Sequence, residues 1–157
     1  ESFTRGVRQI LEAGVSSVCS YSLMLLHGTP FKEPAYRDEF RIQGKYRIVP
    51  LNYGEYANTR VFDVEETGIA NKDMSFDDYL WMRGLSLLIE VMHNSRPFHE
   101  LFHYINSYEV TLFDFILRVY SSLGKAPAEV QVANPRAAAT FNIGGPICAS
   151  VCTVLRR

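Results

Sequence analysis

The sequence predicts a mixed α/β layer followed by an all-helical region. Three observations carry this expectation. A short helical pattern runs into an apolar, strand-like stretch that ends in a Gly-Thr-Pro turn. A second strand-like stretch follows at residues 45–51, and capped helical patterns then fill residues 76–123. Helix, glycine, apolar strand and glycine turn in succession is the rhythm of parallel strands covered by helices.

Each element has a local reason. In residues 4–13, Val7, Ile10 and Leu11 share a helical face, and Gly14 suits the helix C-terminus. Residues 15–26 are long for a strand, but their apolar and β-branched content favours strand over helix, with Gly28-Thr29-Pro30 as the stop. The second strand, 45–51, is stopped by Pro50 or by Asn52-Tyr53-Gly54, and residues 60–64 are a weaker third candidate. Ser75 with Asp78 reads as a capping box, opening a helix over 76–93 that is apolar almost all round and so covered on two sides. Pro97 opens a helix to about Ser107. Thr111 with Asp114 caps another, with Leu112, Phe115, Ile116, Val119 and Leu123 on one face and Gly124 as its stop. A last turn is expected at 128–132.

Composition bounds the function. The chain has 157 residues, 47% hydrophobic and 21% charged, enough apolar material for one core. With 16 basic and 17 acidic residues it carries no whole-chain field for nucleic acid or an anionic membrane. Its longest apolar run, residues 18–26, contains Ser20 and Ser22 and falls far short of a membrane span. The three cysteines, Cys19, Cys148 and Cys152, do not form a secreted disulfide pattern, so a reducing, cytoplasmic compartment is expected, with Cys19 as a small buried hydrophobe. The first residue is Glu1, with no initiator Met or signal pattern, and the expectation is a piece of a longer protein. Residues 133–157 hold three Arg and no acid, and are rich in Ala, Gly and Pro. The expected organisation is an α/β segment over 1–75, a helical region packed on it over 76–132, and an irregular tail over 133–157.

Several patterns could carry chemistry. His99-Glu100-Leu101-Phe102-His103 is an H-E-x-x-H, whose two imidazoles lie one turn apart and could share a zinc ion, with Glu100 activating its water. Pro97 and Phe98 put His99 in the opening turn of its helix, Glu109 stands where a third His would be, and Glu129 is an unremarked candidate ligand. An amphipathic helix that happens to carry two His is the competing reading, and no residue is expected to complete the metal site. Cys148 and Cys152 have a C-x-x-x-C spacing, but Leu155 occupies the position of the third thiolate that an iron–sulfur cluster would need. Gly28, Thr29 and Pro30 follow an apolar strand, the place where α/β layers bind ligands, or else make a simple turn. Arg47 could clamp a carboxylate bidentately or sit at a sheet edge.

Residues 7–91 resemble the second half of a radical S-adenosylmethionine (SAM) barrel of the large cobalamin-binding radical SAM proteins. The resemblance rests on Ile10-Leu11-Glu12-Ala13-Gly14-Val15, on Tyr21-Ser22-Leu23-Met24-Leu25-Leu26-His27-Gly28-Thr29-Pro30, on Arg47-Ile48-Val49-Pro50 and on Asn52-Tyr53-Gly54-Glu55-Tyr56. In that family a helix ending in Ala-Gly leads into a barrel strand, which ends in a Gly-Thr-Pro or Gly-Leu-Pro-Gly turn. The family's C-x-x-x-C-x-x-C loop is absent here and would lie upstream. The resemblance implies a partial (β/α) barrel, the later strands of a TIM-like barrel, followed by the helical region.

It also implies a fragment of a radical SAM enzyme, inactive in isolation. SAM and a [4Fe–4S] cluster are the implied cofactors, with cobalamin as a further candidate. A small-molecule substrate and the N-terminal remainder of the barrel are the implied partners, with no nucleic acid and no membrane. Strand alternation would then point Ser20, Ser22 and Met24 into the barrel, with Cys19, Tyr21, Leu23 and Leu25 facing the outer helices. Gly28, Thr29, Pro30, Asn52 and Arg47 would gather at the SAM and substrate end. Two other classes stand beside it: a zinc-dependent hydrolase using His99, Glu100 and His103, and a non-catalytic α/β domain that docks a partner through some of its 20 aromatic residues.

Overall fold

The computed structural model describes residues 1–126. Helix α1 (Ser2–Glu12) buries Val7 and Leu11 and leaves Ile10 exposed. It ends as its sequence requires: Gly14 adopts φ +75°, and its N–H donates to the Leu11 carbonyl at 3.1 Å. A 3-10 turn (Pro30–Lys32) and a short helix α2 (Pro34–Phe40) lead into strand β1 (Gln43–Tyr56), which pairs antiparallel with strand β2 (Thr59–Ala70).

Ala57 and Asn58 form the two-residue turn of this hairpin. Their φ values of 48° and 60° are both positive, as a type I′ turn demands, and this turn twists the way the strands do. The ladder runs from Gln43↔Ala70 to Tyr56↔Thr59 and is irregular between Ile48 and Tyr53. A third segment joins the other edge of β2 at one point only, an antiparallel bridge Met24↔Thr67. There the Leu25 N–H donates to the Glu66 carbonyl and the Gly68 N–H to the Leu23 carbonyl, both at 2.8 Å.

This open antiparallel sheet replaces the expected parallel layer and partial (β/α) barrel. Residues 15–26 are not a continuous strand: apart from the bridge at Met24 they run as irregular chain, with Tyr21, Leu23 and Met24 exposed and Leu25 buried. Residues 45–51 are the first half of a longer strand, and Asn52-Tyr53-Gly54 continues it. The weaker candidate at 60–64 is the first half of β2. A two-residue connection can join only antiparallel strands, because a parallel pair needs a crossover of a dozen residues or more. The sheet therefore has no barrel for an N-terminal remainder to complete.

The helices follow their sequence signals more closely. Helix α3 (Phe76–Ile89) opens with a reciprocal capping box: the Asp78 N–H donates to Ser75 Oγ at 3.1 Å, and the Ser75 N–H donates to Asp78 Oδ2 at 3.0 Å. It runs on into one π turn (Glu90–Asn94). Helix α4 (His99–Asn106) has no buried residue. Helix α5 (Leu112–Ser122) is capped by Thr111, whose Oγ1 accepts the Asp114 N–H at 3.1 Å.

The main core joins Val7 and Leu11 of α1, Leu85 and Ile89 of α3, Met92 of the π turn, and Phe113, Ile116 and Tyr120 of α5. A bidentate Arg8–Asp114 contact at 3.1 and 2.6 Å fastens α1 to α5, with the guanidinium over the Phe113 ring. The Tyr120 hydroxyl donates to the Trp81 carbonyl at 3.0 Å, and burial pushes its pKa up to about 12. The expected tail (133–157), the last turn at 128–132, Glu129, Cys148 and Cys152 lie outside the described residues.

Candidate functional site

The root of the hairpin sits between two layers. On one face Glu66 reaches the 3-10 turn and α2, pairing with Lys32 and with Arg37 at 2.9 Å. The two cations hold the Glu66 carboxyl below its usual range, Lys32 contributing most, against the opposing effect of burial. Gly44 lies beside this carboxylate, where a Cβ would collide with the Glu66 side chain. On the other face Lys45 sits over the Phe76 ring of α3 at 4.8 Å, and Arg47 pairs with Glu65.

Beside this root the chain encloses a cleft of about 370 Å³, within the size range of small-molecule sites. Residues 20–23 form one side. The 3-10 turn and α2 supply an aromatic row, in which Phe31 meets Tyr36 edge-on at 5.6 Å and Tyr36 lies against Phe40 at 4.4 Å. Gly68 and Ala70 of β2, with the turn Asn71-Lys72-Asp73-Met74, close the end. Tyr79, Met82 and Arg83 project from α3. Gly68 lets residues 22–24 approach: a Cβ there would lie 3.3 Å from Leu23 Cδ2.

One set of polar groups lies where residues 20–22 meet α3, and a second, Asn71, Lys72 and Asp73, lines the end of the cleft. Ser22 Oγ and Tyr79 Oη lie 3.2 Å apart, and either can donate. Arg83 donates from Nη1 to the Ser20 carbonyl at 3.1 Å. Burial lowers the Arg83 pKa, which still leaves a guanidinium charged. Chemically the cleft offers an aromatic wall, an apolar body, a hydroxyl pair that can donate or accept, and a polar turn of Asn71, Lys72 and Asp73 at its end.

The sequence-predicted residues are distributed unevenly about it. Ser20 and Ser22 line the cleft. Met24 is exposed at the bridge. Gly28 (φ +81°) and Thr29, whose Oγ1 donates to the Leu26 carbonyl at 2.7 Å, make a local turn, and Pro30 starts the 3-10 turn. Arg47 is engaged with Glu65, and Asn52 is exposed in the irregular part of β1. Tyr79, Arg83, Tyr36 and Phe40 were not anticipated. Arg83 had a readable signal: it is the lone cation in an otherwise apolar helical run, where its charge must find polar partners.

The zinc and cluster expectations do not survive this geometry. His99 and His103 do stand on one face, with ring centroids 6.3 Å apart, but both are exposed, and Glu100 projects into solvent. Among the described residues no group of three His, Cys, Asp or Glu side chains converges to hold a metal ion, which removes the zinc hydrolase reading. A [4Fe–4S] cluster lacks its thiolates in the same way: Cys19 is the one cysteine among the described residues, and it is exposed and free, not the buried hydrophobe expected. SAM was expected at the strand ends of a barrel, with cobalamin as a further candidate, and the open antiparallel sheet is not a barrel. The expected substrate-wall role of a radical SAM enzyme goes with them. Among the described residues no helix is long and apolar enough to cross a membrane. No protein-family model matches the chain, and no curated protein matches it.

Proposed function

We propose that the chain is a small-molecule-binding domain, taking a planar, apolar ligand with one hydrogen-bonding end in the cleft beside the hairpin root. The observation that carries this is convergence: an aromatic row from Phe31, Tyr36 and Phe40 lines a cleft of about 370 Å³ into which the Ser22–Tyr79 hydroxyl pair brings a polar contact. Concave, mostly apolar sites with a few convergent polar groups are how proteins hold such ligands. The aromatic row would give a flat body an apolar wall to lie against, and the hydroxyl pair would orient a hydroxyl or carbonyl. The same reading keeps the protein in a reducing, cytoplasmic compartment, supported by three sparse cysteines of which Cys19 is a free, exposed thiol.

Nile red, a neutral planar dye, is a suitable probe. The expected result is saturable binding with a blue-shifted emission, weakened by at least about tenfold in Met82→Trp, which fills the cleft. Phe62→Lys, remote on the hairpin tip, should leave binding unchanged. Equal binding by wild type and Met82→Trp would refute the proposal.

A further inference from the structure

The outer half of the hairpin presents an apolar stripe. Cross-strand partners lie on one face of a ladder, and Phe62 and Val64 share a face of β2 by alternation, so their partners Tyr53 and Ile48, with Tyr46 two residues before Ile48, lie on that face too, on either side of the irregular stretch of β1. Their exposures are 70% for Tyr46, 51% for Ile48, 73% for Tyr53, 56% for Phe62 and 60% for Val64. Scattered apolar residues on a surface need no account, but five large ones in one row do.

We infer that this row is the contact surface of a two-fold dimer of the chain. The area supports a second copy. Taking a whole aromatic side chain at roughly 150–250 Å², and Ile and Val at somewhat less, the exposed fractions sum to roughly 600 Å² per chain. Two copies would bury about 1,200 Å², the lower bound of a specific interface. The charge pattern agrees. Both ends of the row carry both signs, Lys32 and Arg37 around Glu66 at the root and Glu55 near Arg60 at 4.0 Å at the tip. The net charge of -1 adds almost no repulsion between copies. An isologous pairing needs a self-complementary patch of this kind. The opposite face of the outer hairpin carries Val61 at 44% exposure, paired with Gly54, and Tyr56 at 71% beside the turn, two large apolar residues against the five of the row.

Sedimentation equilibrium of the full chain from about 1 to about 200 µM tests this. The expected result is a reversible dimer with a Kd of about 10 µM, in keeping with an interface at the lower size bound. Phe62→Lys should weaken it by at least about tenfold, and Tyr53→Lys should do the same, while Val61→Lys should change it by less than about threefold. Far-UV circular dichroism establishes that each variant is folded; if one of the two lysine variants at the row unfolds, the other decides. A chain that stays monomeric throughout overturns the inference. So does a dimer indifferent to both row variants, or one that Val61→Lys weakens equally. A monomer that co-sediments with phosphatidylcholine vesicles would likewise overturn it and assign the row to a lipid surface.

Discussion

The root and the tip of one hairpin are built from similar residues in different surroundings. At the root, residues 66–70 of β2 are buried, with α2 and the 3-10 turn on one face and α3 on the other. At the tip, Val61, Phe62 and Val64 of the same strand are exposed opposite Tyr53 and Ile48. Apolar content alone therefore does not decide burial. The difference is whether a second layer lies over the strand, and a two-stranded ribbon without one is marginal in water. The helical core is the limiting case, since Phe113, Leu85 and Ile116 are fully buried.

The contrast can be broken first at the core. Phe113→Ala removes a fully buried ring that also underlies Arg8, and should cost about 3–5 kcal/mol, read as a lowered midpoint in urea. Next comes the clasp at the root. Glu66→Ala leaves Lys32 and Arg37 without their shared carboxylate and should cost about 2 kcal/mol at neutral pH.

The pH dependence of that second loss follows from the lowered pKa of Glu66. The pairing contributes fully above the unfolded value of about 4.3 and is lost as pH falls through the folded value below it. The stability gap between wild type and Glu66→Ala should therefore be flat above about pH 5 and narrow below about pH 4. A gap that widened on acidification would contradict the clasp.

At the tip the changes should be small, and one should be favourable. Ala57 holds φ 48° at a cost that Asn or Gly would not incur. Replacing Ala57-Asn58 by Asn-Gly should stabilise the protein by about 1 kcal/mol, seen as a higher Tm and slower amide exchange across the outer hairpin. Phe62→Thr should alter monomer stability by less than about 0.5 kcal/mol, because its ring is already largely in solvent. A loss comparable to Phe113→Ala would mean that the tip is packed within the monomer.

Legibility in the sequence tracks the range of the interactions concerned. Gly14, the Ser75–Asp78 box and the Thr111 cap were readable because each acts within four residues. The hairpin was missed because Ala57-Asn58 lacks the usual Asn-Gly signature, and because Gly54 read as a stop when it lies within the strand. Residues 15–26 misled for the opposite reason. Their apolar run reflects Leu25 burying itself and residues 20–23 lining a cleft, with only one bridge to β2, and composition alone resembles a strand. In the cleft, Ser20 and Ser22 were singled out for a barrel interior, and they line a cleft against α3 for a different structural reason. Tyr36, Phe40 and Tyr79 join them through long-range packing that no local pattern encodes.

The π turn at Glu90–Asn94 acts as a phase shifter. The Ser95 N–H reaches back five residues to the Glu90 carbonyl at 3.0 Å, so the helix accommodates one residue more than an α-helical turn would. An extra residue rotates everything after it by about 100° relative to an uninterrupted helix. That rotation aims Asn94 at the irregular chain after α1, where its side chain accepts the Val18 N–H at 2.9 Å and donates to the Val18 carbonyl at 3.0 Å. Deleting a single residue from this turn would straighten the helix and swing that two-pronged grip away. The strand-like segment 15–26 would then lose an anchor just upstream of Ser20 and Ser22.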